Sequence, residues 1–279
     1  MINRSTDGKQ RVLSLSYGKD SLACLGAIEQ LGLPLDRIVH AEVWATDTIQ
    51  ADLPPMVEFK AKADAIIKER WGFEVEHFHS RAYGAEKFTY EKGFYRLKGK
   101  KSYRAGTITG FPFSKGGAWC NSELKMAAIN AAIRSTKGCI QYVGIATDEP
   151  ERLARLDGVN KISPIALIGW SEADCMDWCK KNELRSPIYD GFIRGGCWFC
   201  TNQGIETLRT FRHEYPELWQ LLLKWDNDSP VAFKADGHTV HDFDRRFQLE
   251  DEGLIDPKAT FRWSMLDDDL QYTIFKDLG

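Results

Sequence analysis

The chain has 279 residues, of which 43% are apolar and 28% are charged, and its formal net charge is −3. This length suits one large domain, or one domain with an appendage, and the apolar content is sufficient for a substantial core. A mean hydropathy of −0.38 and the lack of an apolar run of about 18 residues argue against a membrane span. The small net charge excludes binding of nucleic acid through overall charge, but a local basic strip is compatible with it.

The N-terminal segment and the cysteine content indicate the compartment. Residues 1–10 contain no apolar stretch of the kind that a secretory signal needs, so we expect a cytoplasmic location. The seven cysteines are an odd number, and two of them are spaced as C-x-x-C. In a chain without a signal, this pattern indicates metal or redox chemistry in a reducing cytosol.

The first predicted elements are a strand, a short turn and a helix. The apolar, β-branched segment 12–16 predicts the strand. Leu22, Leu25 and Ile28 lie at helical spacing and predict the helix. The turn between them, Ser16–Ser21, is rich in serine and glycine. Such a turn directs backbone N–H groups and a helix dipole at one spot, which suits a phosphate group.

The polar residues of this loop favour the same chemistry. Gly18 lets the backbone approach an anion closely, Lys19 adds a positive charge, and the serine hydroxyls can donate hydrogen bonds. Asp20 opens the helix, where a carboxylate is favoured, and beside a triphosphate it could instead hold Mg²⁺. The alternative is an ordinary tight turn with a capping serine. We predict a phosphate-binding site formed by Ser16, Tyr17, Gly18, Lys19, Asp20 and Ser21.

Strands and helices continue to alternate after this loop. Further strands are predicted at 38–46, 73–78 and 140–145, and helices at 55–71 and 121–134. This alternation predicts an α/β fold with a doubly wound, mostly parallel sheet, whose ligands bind at the carboxyl ends of the strands. Asp47, at the end of the second strand, is placed to meet the ribose or base of a nucleotide. The alternative for Asp47 is a turn or helix cap.

Residues 80–118 interrupt the alternation with a segment rich in basic and aromatic side chains and in glycine. We predict an insertion or a mobile flap here. Basic and aromatic side chains together suit phosphates and stacked bases, as in a nucleic-acid acceptor. The alternative is a solvated surface loop whose aromatic side chains pack beneath it.

The C-terminal part of the sequence is predominantly helical. A capping box that begins at Ser171 predicts a helix through Lys181, and the helical segment 203–225 is broken at Pro216. The charged tail from Asp226 onward indicates a small α-rich appendage. We therefore predict a main domain at 1–225, with 80–118 as its insertion, and an appendage at 226–279.

Four segments carry a resemblance to a known family. Ser16–Ser21 resembles the S-x-G-x-D-S loop of the adenine nucleotide alpha-hydrolase superfamily, the PP-loop enzymes. Within it, three later segments are similar in order and spacing to motifs of the phosphoadenosine phosphosulfate (PAPS) reductase family. These motifs are G-I-R-x-x-E-S-x-x-R at 144–149 with Arg152 close behind, P-L-x-x-W-T-x-x-D-V at 164–174 and P-L-Y-x-x-G-Y-x-x-x-G-C-x-x-C at 187–200. The resemblance implies a Rossmann-like PP-loop fold, an adenine nucleotide framed by Asp47 and Gly144, and Mg²⁺, Lys19 and Arg152 around its phosphates.

The cysteines predict a metal or iron–sulfur centre. Cys197 and Cys200 are spaced so that two thiolates can hold one metal, and the resemblance places Cys120 as the third ligand. Three cysteines would leave one iron of a 4Fe–4S cluster open, whereas Zn²⁺ needs a fourth ligand, such as Cys179 or His213. Cys175 and Cys179 share one helix face, but the burial tendency of cysteine favours a place in the core for both. Cys24 and Cys139 are also predicted to lie in the core.

The departures from the family motifs favour one reaction over another. Ala146 and Pro150 replace the family's arginine and serine, and Trp119 stands where many iron–sulfur members have cysteine. No cysteine follows Cys200, whereas the reductases carry their nucleophile near the C-terminus. We expect ATP-dependent adenylation and sulfur transfer to an acceptor. The alternatives are reduction of PAPS or adenosine phosphosulfate (APS), and a non-catalytic nucleotide-binding subunit. The partners that we expect for this function are an adenine nucleotide, a nucleic-acid acceptor, a sulfur-donor protein and a second copy of the chain. We do not expect a membrane as a partner.

Overall fold

The computed structural model describes residues 2–112, 118–134, 138–192, 195–258 and residue 263. Within these described ranges, the chain divides into two compact units. The first consists of residues 1–93 and 118–198, and the second consists of residues 94–117 and 199–279. The second unit thus begins its C-terminal part at residue 199 and includes much of the predicted insertion. The sequence pattern instead places the boundary after residue 225.

A five-stranded, all-parallel sheet forms the centre of the first unit. Its order is β3-β2-β1-β4-β5, and Leu13 of β1 lies opposite Ile38 of β2 and Tyr142 of β4. Helices flank this sheet, so the predicted α/β doubly wound fold with a helical C-terminal region is confirmed. The strands are β1 (Arg11–Ser14), β2 (Arg37–Glu42), β3 (Val75–His79), β4 (Ile140–Tyr142) and β5 (Lys161–Ile162).

The helices agree with the predicted pattern, with differences at their ends. The capping box is present, because Ser171 and Asp174 each accept a hydrogen bond from the other's backbone N–H. Pro216 ends one helix and begins the next, since proline is tolerated in a first helical turn. The α-helices are α1 (Lys19–Gln30), α2 (Pro54–Trp71), α3 (Tyr90–Phe94), α4 (Ala127–Ile133, after a π-helical turn at Asn121–Met126), α5 (Pro150–Leu153), α6 (Pro164–Leu167), α7 (Glu172–Lys181), α8 (Ile205–Glu214), α9 (Pro216–Asp228) and α10 (Val240–Asp251).

The strand predicted at 38–46 extends beyond the observed strand β2, which ends at Glu42. The chain then turns: Trp44 pairs with Gln50 in an antiparallel bridge. The backbone N–H of Thr46 donates to the carbonyl of Ile49. Since these groups bond within the turn, they cannot continue the parallel ladder. Asp47 therefore lies in a tight turn and not at the end of a strand.

Helix α1 is largely buried and packs against α6 and α7. Its residues 21–28 are all buried, which is typical of a helix that is enclosed on every side. Gly26 permits the close packing, because a Cβ atom there would lie 2.3 Å from the indole ring of Trp178 on α7. The packing of α7 on α1 determines which residues surround the first turn of α1.

Aromatic side chains from the predicted insertion are packed inside the units. In the first unit, Tyr90 is fully buried and stacks on Trp119 with ring centroids 5.1 Å apart. In the second unit, Phe94 contacts Phe111 at 5.3 Å, and Phe111 contacts Phe233 at 5.1 Å. The interpretation of aromatic side chains packed beneath a loop therefore holds for these residues. Among the described helices, none combines the length and apolar composition that a membrane crossing requires.

Candidate functional site

The Ser16–Ser21 loop lies at the carboxyl end of β1 and leads directly into α1. After β3 the chain crosses back to the other side of β1, where β4 pairs with it. The ends of β1 and β4 therefore flank the point at which the strand order reverses. Open α/β sheets bind their ligands in the crevice at this point, so the loop lies where the fold itself favours a ligand.

Hydrogen bonds within the loop close it around Ser21. The Ser21 hydroxyl accepts from the backbone N–H of Ser16 at 3.1 Å and from the Ser16 hydroxyl at 3.0 Å. It donates to the carbonyl of Gly18 at 3.0 Å. Gly18 is the N-cap residue and has no side chain to cap α1. The N–H groups at the start of α1 therefore receive no cap from the side chain of their own N-cap residue and need another acceptor, such as an anion.

The hydroxyl of Tyr189 occupies part of this helix start. It accepts a hydrogen bond from the backbone N–H of Lys19 at 3.2 Å, the kind of bond that a phosphate oxygen would accept there. Burial raises the pKa of Tyr189, so this hydroxyl stays neutral at neutral pH. Tyr189 was not predicted as a site residue, although it lies within the motif at 187–200.

Gly144 brings the end of β4 against the start of α1. A Cβ atom at Gly144 would lie 2.6 Å from the backbone carbonyl carbon of Asp20 and 2.6 Å from the backbone nitrogen of Ser21. Both neighbours are backbone atoms and cannot move aside as a flexible side chain could. Glycine is therefore required at this position, and the segment that follows β4 lies beside the loop.

Three carboxylates converge at the first turn of α1. Ligand oxygens of Asp20, Glu149 and Glu172 all lie within 4.8 Å of one another. We call these residues the carboxylate cluster. The ammonium nitrogen of Lys19 lies 3.1 Å from Oδ1 of Asp20 and 3.1 Å from Oε2 of Glu172. Arg152 forms an ion pair with Glu149, so both predicted phosphate-binding cations contact this cluster.

The electrostatics of the cluster favour a cation. Burial raises the pKa of Asp20, and the neighbouring Glu172 and Glu149 add to this effect, whereas Lys19 opposes it. Burial alone would lower the pKa of Lys19, but Asp20 and Glu172 outweigh burial and raise it. Oδ1 of Asp20 meets the ammonium of Lys19, and a buried oxygen of Glu149 (Oε2) has no hydrogen-bond partner among the described residues. Crowded carboxylates with unused acceptor oxygens are the ligand set that Mg²⁺ or Ca²⁺ prefers.

Two of these carboxylates were not predicted as site residues. Glu149 immediately precedes α5, and Glu172 is the first residue of α7. The backbone N–H of Glu172 donates to both carboxylate oxygens of Asp148 at 3.2 Å, which ties the start of α7 to the segment after β4. The capping box at Ser171 indicated a helix start there, but no sequence signal indicated that this start faces the Ser16–Ser21 loop.

Asp47 and Tyr17 have surroundings that the sequence did not indicate. The side chain of Asp47 is 63% exposed and pairs with Lys92 at 2.6 Å, and its carbonyl accepts from Lys87 at 2.7 Å.

Tyr17 is fully buried, so its backbone alone remains for a ligand. Its φ of 57° is in the left-handed region, which costs a residue with a Cβ atom about 1 kcal/mol.

The predicted cysteine ligands are all partly exposed. Cys120 has helical backbone and precedes the π-helical turn. Between Cys197 and Cys200, Trp198 is buried and holds its segment against the turn after β2. Its backbone N–H donates to the carbonyl of Ala51 at 2.9 Å, and its indole N–H donates to that of Gln50 at 3.0 Å. The metal centre at these cysteines stays a prediction.

The other cysteines are mostly core residues, as predicted. Cys24, Cys175 and Cys179 are fully buried. Burial raises the pKa of all three thiols, and that of Cys179 rises to about 12. Cys139 is partly buried and packs against the core cluster that includes Val12.

Comparison with family models and with curated proteins gives no match for this chain. Its function is therefore inferred from the geometry of the loop and of the carboxylate cluster. Both lie in the first unit, at the strand ends where the sheet reverses its order.

Proposed function

We propose that the protein binds an adenine nucleotide, in the first place ATP, at the Ser16–Ser21 loop. The observation that carries this proposal is the start of α1, at the point where the sheet reverses its strand order. Gly18 provides no side-chain cap there, and the Tyr189 hydroxyl accepts the Lys19 N–H bond that a phosphate oxygen would accept. The helix dipole and the N–H groups of this turn attract phosphate oxygens. Lys19 supplies a positive charge at the same turn, and Gly144 lets the segment after β4 lie directly against it.

The carboxylate cluster supports a divalent cation beside the phosphates. Asp20, Glu149 and Glu172 would hold Mg²⁺, whose hard charge suits oxygen ligands. Bound Mg²⁺ would neutralise charge on the phosphates. Lys19 and Arg152, which now contact these carboxylates, would then be free to contact phosphate oxygens.

The reaction that this arrangement supports best is adenylation of an acceptor followed by sulfur transfer. An oxygen of the acceptor attacks the α-phosphorus of ATP, the bond to the bridging oxygen breaks, and pyrophosphate leaves with the electron pair. A sulfur nucleophile then attacks the activated carbon of the acceptor, and AMP leaves with the oxygen. Lys19 stabilises the negative charge that develops on the phosphates during the first step.

The state of the thiols supports sulfur transfer over reduction of PAPS or APS. Reduction needs a reactive thiolate on the protein, and the raised pKa values of Cys175 and Cys179 disfavour one near the loop. The three predicted ligands are partly exposed: Cys120, Cys197 and Cys200. A 4Fe–4S or Zn²⁺ centre that contacts a substrate would need such exposure. An iron–sulfur centre would supply sulfur-binding chemistry for the second step.

A nucleic acid is the acceptor that the second unit favours. The loop between Leu97 and Ile108 is closed by an antiparallel bridge and presents Lys100, Lys101 and Tyr103 to solvent. Tyr103 is 92% exposed, and exposed aromatic rings beside lysines suit stacked bases and phosphates. The proposed setting is the reducing cytosol, where the thiols of the chain stay reduced.

Calorimetric titration of ATP tests the proposal, with and without Mg²⁺. The wild-type protein should bind ATP, and Lys19→Ala should bind it more weakly. Lys180→Ala serves as the control, since Lys180 is an exposed helical lysine whose partner is Asp177 on the same helix. A wild-type protein that binds no ATP under either condition refutes the proposal.

A further inference from the structure

A partly buried polar cluster lies next to the Ser16–Ser21 loop and contacts the residues on both sides of Ser16. On one side, Nδ1 of His40 bonds to the carbonyl of Leu15 at 2.8 Å. On the other side, the hydroxyl of Tyr17 donates to Oδ1 of Asp64 and lies 3.2 Å from Nε2 of His77. We call this set of side chains the anchor cluster: Tyr17, His40, Asp52, Lys60, Asp64 and His77.

The anchor cluster connects the loop to β2, β3 and α2. His40 is on β2, His77 is on β3, and Asp64 is on α2. The ring of Tyr17 packs edge-on against His40, with centroids 4.8 Å apart. These contacts fix the loop to the sheet at the two residues that flank Ser16.

Each member of the cluster has a partner that orients it. Nε2 of His77 lies 2.9 Å from Oδ2 of Asp64, so this carboxylate meets both the tyrosine and the histidine. The ammonium of Lys60 lies 2.9 Å from Nε2 of His40 and pairs with Asp52. Because the carbonyl of Leu15 needs a donor, the proton of neutral His40 is assigned to Nδ1, and Nε2 accepts from Lys60. Burial and the charge of Lys60 lower the pKa of His40, in agreement with this neutral state.

The backbone of Tyr17 shows what the contacts achieve. With φ at 57°, this position suits glycine, and a tyrosine there is strained. A glycine would relieve the strain but would leave the loop free to adopt other conformations. The buried ring and its hydroxyl bond compensate for the strain and hold the backbone in one conformation.

We propose that Tyr17 is a positioning residue, which holds the loop in its phosphate-binding conformation through the hydrogen bond to Asp64. This inference rests on the proposed nucleotide site. A loop fixed before the ligand arrives loses less conformational freedom on binding, and its affinity is correspondingly higher. The hydroxyl of Tyr17 does not contact the ligand; it acts through the backbone from Ser16 to Gly18.

The test compares Tyr17→Phe, Asp64→Ala and the double variant. Calorimetry measures binding of ATP and of inorganic pyrophosphate, and competition against ATP measures binding of adenosine. Each single variant should weaken ATP and pyrophosphate about tenfold, the value of a hydrogen bond to a charged group. The double variant should be no weaker than either single variant, because both substitutions remove the same bond. Adenosine, which has no phosphates, should bind as it does to the wild type.

Tyr83→Phe is the matched control. Tyr83 also has φ at 57°, and its hydroxyl donates to Oε1 of Glu123 at 2.8 Å, but its side chain is 67% exposed. This variant should bind ATP and pyrophosphate with wild-type affinity. If Tyr17→Phe does not fold, Asp64→Ala decides the question, since the Asp64 side chain is 29% exposed and its truncation removes the oxygen that accepts from Tyr17.

The outcomes separate this inference from the proposed function. If the wild type binds ATP and the Tyr17 and Asp64 variants bind it equally well, the positioning role is refuted and the nucleotide site stands. If adenosine affinity falls as much as ATP affinity, the effect is a general structural one, and the positioning role is again refuted. If the wild type binds neither ATP nor pyrophosphate, the proposed function and this inference fail together.

Discussion

The ammonium nitrogen of Lys19 lies 3.1 Å from a carboxylate oxygen of Glu172, and this ion pair joins the first turns of α1 and α7. The first turn of a helix carries positive partial charge, which stabilises the carboxylate and opposes the ammonium. The ammonium group of Lys19 is therefore stabilised by the carboxylates of Asp20 and Glu172, whereas the dipoles of the two helices oppose it. An anion that draws Lys19 away would leave these carboxylates to a metal cation, so the binding of nucleotide and of Mg²⁺ should be coupled.

Substitutions of Lys19 and Glu172 should change ATP affinity in opposite directions when Mg²⁺ is absent. Lys19→Ala removes a charge-assisted contact and should weaken binding by roughly 1–3 kcal/mol. Glu172→Gln removes a competing partner of Lys19 and a negative charge, so ATP should bind about two- to fivefold more tightly. Calorimetry in EDTA measures both effects. Weaker ATP binding by Glu172→Gln under these conditions would show that Lys19 does not exchange partners.

The carboxylate cluster should bind a divalent cation without nucleotide, though weakly, because Lys19 competes for it. Glu149→Gln and Asp20→Asn should each reduce the affinity for Mn²⁺ by at least about tenfold, since each removes an oxygen ligand. The electron paramagnetic resonance signal of free Mn²⁺ measures this binding. Glu151→Gln is the control, because Glu151 is the exposed neighbour of Glu149 and does not belong to the cluster. Equal Mn²⁺ affinity in all variants would remove the metal from the proposal.

Local sequence signals predicted the elements around the site better than the contacts between them. The Ser16–Ser21 loop, the capping box at Ser171 and the helix break at Pro216 follow from side-chain chemistry within a few residues, and all three are present. Glu172 was not predicted, because its role depends on how closely α7 packs on α1. That packing depends on Gly26 and Trp178, residues that carry no functional signal in the sequence.

The features that the sequence did not predict have the same origin. A strand of β-branched residues was predicted through 46, but the chain turns after Glu42, since hydrogen bonds within the turn replace the ladder. This turn removes Asp47 from the strand end and leaves it in a surface ion pair with Lys92. Tyr17 was predicted as a ligand-binding residue within a motif. Its burial results from His40, Asp64 and His77, which lie far from it in sequence.

The charge of Asp20 should reduce the stability of the protein near neutral pH. Its pKa is raised in the folded state by burial and by Glu172 and Glu149. A raised pKa means that the folded state binds the proton more tightly than the unfolded state does, so the stabilisation is present at low pH and is lost as pH rises through the folded pKa. Asp20→Asn resembles the protonated form and should have a higher melting temperature than the wild type at pH 7.

This difference in melting temperature should disappear below about pH 3, where Asp20 is protonated in both states. Asp177→Asn is the control, since Asp177 is 64% exposed on α7, and its substitution should leave the melting temperature nearly unchanged. Thermal unfolding at several pH values checks both variants. A lower melting temperature for Asp20→Asn at pH 7 would show that the carboxylate stabilises the fold, contrary to this expectation.

The thiols should separate into an unreactive and a reactive group. Cys24, Cys175 and Cys179 are fully buried and have raised pKa values, so iodoacetamide at pH 8 should not modify them in the native protein. The partly exposed thiols are expected to react: Cys120, Cys139, Cys197 and Cys200. Peptide mass spectrometry identifies the modified sites.

A bound metal would distinguish the predicted ligands from the fourth exposed thiol. In protein purified without oxygen, Zn²⁺ or an iron–sulfur cluster should protect Cys120, Cys197 and Cys200, whereas Cys139 should still react. Cys139 thus serves as the internal control. Metal analysis and the visible absorption spectrum of the same sample identify the centre. Protein that contains neither metal, and whose four thiols react alike, would remove the cysteine centre from the proposal.

The last prediction concerns the reaction. Reduction of PAPS or APS requires a protein thiolate that attacks the sulfate sulfur, and no cysteine follows Cys200. The thiols of Cys175 and Cys179 are buried, with raised pKa values, and Cys179 donates to the backbone carbonyl of Lys19 at 3.3 Å. We therefore expect little or no thioredoxin-dependent sulfite release. With ATP, Mg²⁺ and total RNA as the acceptor, we expect release of AMP and pyrophosphate, which Lys19→Ala should greatly reduce and Lys180→Ala should not. Rapid sulfite release from PAPS by the wild type, abolished by Cys179→Ser but not by Cys24→Ser, would contradict this expectation and show that the protein is a reductase.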